Sequence, residues 1–219
     1  MKIGLISDIH ADLEGLELAL KLLRDKGVDR ILCAGDLVDR GTDGDAVVQR
    51  MVDEQIPTVL GNHDWMARSN QAYFEKNPER NVAGASQLSV AALEILDNLP
   101  RTLKVEYEKR KIMVAHGSPS SFDEYIYHTA SPPLFKRIFR DAKTHYVILG
   151  HTHIPMVIHL PKWGTIINPG SIYPNFPTPQ NSNLDGRSCA ILELPYGEVT
   201  HYNIVTGEIV PGLRRTITT

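Results

Sequence analysis

The sequence is short of cysteine. Its 219 residues hold two, Cys33 and Cys189, both inside apolar runs and in no CxxC pair. That argues against a disulfide framework or a thiolate metal site and reads both as buried free thiols. A basic excess is also missing. Lys and Arg number 23 against 26 Asp and Glu, a formal net charge of −3, so a broad nucleic-acid-binding face is excluded. No apolar run approaches the roughly 18 residues that a spanning helix needs. The apolar stretch at the N-terminus meets Asp8 at once and is too short for a signal peptide. No repeat, heptad or low-complexity tract is visible, and no linker is clean enough to cut domains. The expectation is a soluble cytoplasmic chain that meets no membrane.

What is present is globular composition, 42% hydrophobic and 22% charged, enough for one good core. Length alone allows one domain or two small ones; the reading adopted is a single domain over 1–219. Residues 2–7, 30–34 and 57–60 read as strands, with helices over 12–26 and 45–55 between them. Leu13, Leu16, Leu20 and Leu23 recur at helical spacing, Asp12 is the N-cap and Gly27 the C-cap signal. Val47, Val48, Met51 and Val52 mark the second helix. This β-α-β-α-β order predicts a parallel or mixed sheet covered by helices. Residues 65–84 are broken by Asn77-Pro78 and Gly84, although Trp65 to Arg68 can begin a helix. Further on come a helix over 85–98, a hairpin of 102–107 and 111–115 around Lys109-Arg110, and a helix over 132–141. Strands follow at 146–149, 154–160, 164–168, 188–194 and 198–205. Residues 169–186 read as a loop, and 211–219 as a fraying end.

Five apolar runs end in metal-ligand chemistry. They lead into Asp8-Ile9-His10, Gly35-Asp36-Leu37-Val38-Asp39-Arg40-Gly41, Gly61-Asn62-His63-Asp64, His116-Gly117 and Gly150-His151-Thr152-His153. Each block alone is weak, since caps and turns use the same residues. Together they supply the carboxylate, amide and imidazole donors that bind borderline divalent ions. Strands side by side in one sheet would bring all five ends to one edge, where ligands bind in open α/β sheets. Asp36 then sits at the centre and bridges two metal ions, which can supply the positive charge that a small phosphorylated ligand needs.

The five blocks, in this order, resemble the calcineurin-like metallophosphoesterase superfamily over about residues 1–175, and within it the small single-domain bacterial and archaeal phosphodiesterases. The resemblance implies an α/β fold of two mixed β-sheets packed face to face with helices on both outer sides. It implies a first metal on Asp8, His10, Asp36 and His153, and a second on Asp36, Asn62, His116 and His151. The ions would be manganese first, with iron, nickel, cobalt or zinc as alternatives. A hydroxide held between them would attack a small phosphodiester or nucleotide substrate. His63 would stabilise the phosphoryl oxygens and protonate the leaving group, with Asp64 orienting it through a hydrogen bond. Asp39 has a helper role or none beyond its loop.

Arg40 stands in Gly-Asp-x-Val-Asp-Arg-Gly, which also resembles protein serine/threonine phosphatases and dinucleoside-tetraphosphate hydrolases. There the arginine helps bind phosphate; the plainer role is a surface salt bridge. Those phosphatases carry Glu where this chain has Asp64, and they lack the compact Gly-His-Thr-His block. Trp65, Tyr125, Tyr127 and His128 lie near ligand blocks and can stack on a base or aryl group, or simply pack under loops. Asn168-Pro169-Gly170-Ser171 is a further candidate near the site, whereas His145, His159 and His201 read as structural. Three alternatives follow: a phosphodiesterase, a phosphatase or polyphosphate hydrolase, and a non-catalytic scaffold. A homo-oligomer is compatible with all of them.

Overall fold

The computed structural model describes residues 1–77, 88–174 and 186–218. The expected helix start at Ala85 and loop residues 175–185 lie outside them. The element order is β1 (Lys2–Ile6), α1 (Leu13–Asp25), β2 (Arg30–Cys33), α2 (Gly44–Asp53), α3 (Asn62–Lys76), α4 (Val90–Asp97), β3 (Thr102–Tyr107), β4 (Arg110–Ala115), α5 (Pro132–Ala142), β5 (Tyr146–Ile148), β6 (Met156–Leu160), β7 (Gly164–Asn168), β8 (Ser188–Glu193), β9 (Glu198–Asn203), β10 (Ile209–Val210) and β11 (Leu213–Thr216).

Two mixed sheets result. One runs β10-β9-β8-β1-β2 and the other β11-β6-β7-β5-β4-β3. Strand alternation explains how each sheet buries both faces. In β4, Ile112 and Val114 join the core between the sheets, while Met113 and Ala115 turn outward under α5. In β5, Tyr146 and Ile148 face the sheet core and Val147 faces Phe135 and Phe139 of the helix layer. On the other side Ile3 and Leu5 of β1 point to the sheet core, whereas Ile6 meets Leu16, Leu20 and Leu23 of α1. Gly4 lies under Leu23, where a Cβ would crowd the leucine methyls. The order is helices, sheet, sheet, helices.

Three expectations need correction. The strand ends that carry the ligand blocks come from two sheets, not one: β1 and β2 pair in parallel in the first, β4 and β5 in the second. Residues 57–60 make only an isolated bridge, Thr58 to Cys33, because Pro57 has no N–H for a ladder. The C-terminal stretch does not fray at 213–216, since β11 pairs in parallel with β6. Smaller shifts also appear. Val52 is largely exposed on α2, and the β3–β4 hairpin turns at Glu108-Lys109, both at positive φ. Asp12 caps α1 by accepting the Gly15 N–H at 2.8 Å. Both cysteines are buried and free.

Candidate metal centre

The loops after β1, β2, β4 and β5 converge at one edge of the sandwich. Their backbones are laced together: Asp8 N–H donates to Gly35 O, His10 N–H to Asp36 O, and Gly150 N–H to His116 O, at 2.8–3.0 Å. This lacing holds strained conformations. Asp8, His10, Asp36, His151 and His153 all have φ between 50° and 67°, a left-handed region costing about 1–2 kcal/mol for an L-residue. Such strain gathers where side chains must be aimed at one point. Two glycines permit the close approach. A Cβ on Gly61 would run into the Asp36 carboxylate, and one on Gly150 into the Ser7 hydroxyl.

The structure brings all seven expected ligands together. Asp8, His10 and His153 form one group of donors, and Asp36, His116 and His151 another, with the ligand atoms of each group within 4.8 Å of one another. Asp36 lies between them: its Oδ2 is 3.8 Å from His10 Nε2 and 3.1 Å from His116 Nε2. Asn62 Oδ1 is 3.1 Å from His116 Nε2. His153 Nε2 is 3.1 Å from His10 Nε2 and 3.3 Å from Asp8 Oδ1. His116 donates from Nδ1 to Ala34 O at 2.6 Å, which fixes the tautomer and leaves Nε2 as a ligand atom. The donor set fits divalent cations. Among the described residues His151 Nε2 is buried with no hydrogen-bond partner, an arrangement that is costly unless something coordinates it.

Burial raises the Asp36 carboxyl, but the charge and hydrogen bond of His116, with His10 and His63, outweigh it and hold it well below the usual range. Its Oδ1 also accepts the His63 N–H at 2.9 Å, at the N-terminus of α3, where a negative charge is favoured. Asp8 is lowered too, as His153 and His116 outweigh burial. His10 falls to about 4, because burial outweighs its acidic neighbours. His116 rises to about 10, the Asp36 and Asp8 charges overcoming burial.

The expected hydrogen bond from Asp64 to His63 does not form. Asp64 is buried and accepts four backbone N–H groups: Asp36 and Gly61 on Oδ2, Leu37 and Val38 on Oδ1, at 2.7–3.2 Å. His63 pairs with Asp39 instead, Nδ1 to Oδ2 at 2.7 Å. The reason is the start of α3 at Asn62. Neighbouring residues on a helix point about 100° apart, so His63 faces the cluster while Asp64 turns in to the backbone. His63 is itself grouped with His10 and Asp36. Burial lowers its pKa, but the Asp39 hydrogen bond and the Asp36 charge raise it more.

Asn168 and Ser171 act behind the ligands. Asn168 Nδ2 donates to Gly150 O and Thr152 Oγ1, and Ser171 Oγ donates to Asp8 O. Among the described residues the Arg40 guanidinium has no carboxylate partner, and its charge is felt at His10, His63 and Tyr125. Tyr125 covers His151, ring centroids 3.8 Å apart, and stacks on Tyr127. Trp65 packs on Phe122, ring centroids 5.6 Å apart. His145, His159 and His201 hydrogen-bond within the fold, to Lys111 N–H, Thr165 Oγ1 and Asn168 O. Sequence reasoning missed Ser7, Asp123 and Tyr173. Tyr173 packs its ring edgewise against His10, and Asp123 Oδ1 stands 3.9 Å from His151 Nε2. Only the block-adjacent position of Ser7 was a usable signal.

Comparison with known proteins agrees with this geometry. The chain is 28% identical over 176 residues to the uncharacterized protein MJ0912 of Methanocaldococcus jannaschii, covering 78% of this chain and 70% of that one. A metallophosphoesterase from Sphaerobacter thermophilus superposes with a TM-score of 0.72 at 29% identity, over 97% of this chain and 89% of the other. The hypothetical protein PH1004 of Pyrococcus horikoshii OT3 shares the fold at 16% identity and a TM-score of 0.71, over 92% and 87% of the two chains. The family model of the calcineurin-like phosphoesterase superfamily domain matches residues 1–194, so this chain belongs to that superfamily and is a metal-dependent phosphoesterase.

Proposed function

We propose that the protein is a dinuclear phosphodiesterase, one domain over 1–219, acting on small phosphodiesters or nucleotides. Asp8, His10, Asp36 and His153 would hold one divalent ion. Asp36, Asn62, His116 and His151 would hold the other. Manganese suits this mixed oxygen and nitrogen set, as do iron, nickel, cobalt and zinc. The observation that carries the reading is the pair of donor groups meeting at Asp36, with His151 Nε2 lacking a hydrogen-bond partner among the described residues. When bound, two such ions supply Lewis-acid charge and lower the pKa of water. The chain's own groups do the rest. His63 donates Nδ1–H to Asp39, which leaves Nε2 to carry a proton to the departing oxygen. Asp64 holds the Asp36 loop through its four backbone bonds.

Diester preference rests on the charges at the mouth. Among the described residues Arg40 is a cation without a carboxylate partner, and Asp123 adds a negative charge beside His151. A dianionic monoester gains little there over a monoanionic diester. The test is kcat/KM with manganese on bis-nitrophenyl phosphate, nitrophenyl phosphate, a 2′,3′-cyclic nucleotide and a phosphopeptide. A tenfold preference for monoester or phosphopeptide would overturn the diesterase reading. It would favour the second one, a phosphatase or dinucleoside-polyphosphate hydrolase, for which the Arg40 charge near His10 and His63 speaks.

A further inference from the structure

A cavity of about 290 Å³ opens beside the donor cluster, and His153 forms part of its wall. His153 is therefore shared, its Nε2 facing Asp8 and His10 while the residue also lines the cavity. Tyr127, Ile154, Pro155, Val210 and Leu213 are its larger apolar lining residues. These come from distant parts of the chain that are tied together. Leu213 N–H donates to Pro155 O at 2.8 Å, and Arg215 holds His128 O and Ala130 O at 2.8 and 2.9 Å.

Three polar residues of the wall are already engaged. Ser188 Oγ donates to Pro169 O, Asn203 Oδ1 accepts the Val205 and Thr206 N–H groups, and Arg187 pairs with Asp12 at 3.6 Å. A ligand seeking hydrogen bonds from them would have to break these contacts, whereas an apolar ligand breaks none. The volume is at the small end for ligand pockets, about 300–1,000 Å³. It suits one ring-sized group.

We infer that this cavity is the subsite for one ester arm of the substrate, and that the arm is apolar and ring-sized, as an aryl group is. The inference rests on the diesterase reading, because a diester carries a second arm that can occupy a site beyond the reacting phosphorus. Burying a ring in place of a methyl group removes enough apolar surface from water to change kcat/KM by about tenfold or more.

The test uses three manganese-loaded assays with one leaving group. The substrates are 4-nitrophenyl phosphodiesters whose second arm is methyl, phenyl or thymidin-5′-yl. The phenyl substrate should exceed the methyl one by at least tenfold in kcat/KM. Val210→Trp should cut that ratio at least fivefold, and so should Leu213→Phe. Ile209→Trp, which adds an indole at an exposed position of the same strand, should leave the ratio as it is. A wild-type phenyl-to-methyl ratio near one, with diesters hydrolysed, would overturn the subsite alone. So would a ratio untouched in folded Val210→Trp, or a nucleoside arm preferred tenfold over phenyl. Hydrolysis of none of the diesters would overturn the diesterase reading together with the subsite. Should both cavity variants fail to fold, the wild-type ratio decides.

Discussion

Asp64→Asn separates two accounts of the same residue. If Asp64 merely oriented His63, the change would lower turnover and leave the fold intact. The structure makes it a backbone clamp. Burial, then the Asp36 charge, pushes its pKa up to about 6, while the Gly61 and Leu37 N–H groups pull it down. At pH 8 it is therefore ionised and accepts on both oxygens. The asparagine is the same size but turns one oxygen into a donor. Whichever way the amide sits, two of the four buried N–H groups lose their acceptor: Leu37 and Val38, or Asp36 and Gly61. Each orphaned donor costs about 1–3 kcal/mol. Relief of a buried charge offsets part of that, so the net is about 3 kcal/mol. A chain of this length loses about 2–4 °C per kcal/mol, giving a Tm drop of about 6–12 °C. The assay is thermal unfolding by circular dichroism at pH 8 in chelator, followed by metal analysis of the reloaded protein. Both metal sites should weaken, because the Asp36 loop is what the clamp holds. A Tm change below 2 °C with two full metal equivalents would refute the clamp.

Asp39→Asn should do the opposite: Tm stays within 1–2 °C, while kcat/KM falls about tenfold or more on diesters with poor leaving groups and less on nitrophenyl esters, which need no acid. Equal losses on both substrates, measured by steady-state kinetics, would remove Asp39 and His63 from proton transfer. Asp36→Asn should weaken both metal sites and His153→Ala mainly the first, as read by elemental analysis after dialysis; two equivalents retained by Asp36→Asn would end the bridging role. His201 offers a pH test away from the cluster. Burial lowers its pKa to about 4, so below about pH 6.5 the unfolded chain takes up a proton that the folded chain refuses. Stability is lost as pH falls from 6.5 towards 4, at up to about 1.4 kcal/mol per pH unit. Urea unfolding should show a shallower fall for His201→Gln over that window, and parallel curves would contradict it.

Much of the site was legible in the chain because four of the five ligand blocks closely follow a strand. The apolar runs ending at Ile6, Cys33, Ala115 and Ile148 mark strands buried on both faces, and the residues just past their ends are local in sequence. Asp8, His10, Asp36, His116, His151 and His153 could thus be picked out by type and position alone, as could the Asp12 cap and the buried stripe of α1. Tertiary structure decided what depends on distant partners. Two sheets, rather than one, deliver the strand ends, because β8 and β7 insert beside β1 and β5 from far along the chain. Asp39 takes the part expected of Asp64, which clamps backbone instead, since the helix beginning at Asn62 turns neighbouring side chains in different directions. The cavity beside His153 exists only where β10, β11 and the segment around Tyr127 meet. Sequence periodicity records which face of an element is buried; it carries no record of which remote segment covers that face, because contact energy depends on proximity in space, which the fold alone creates.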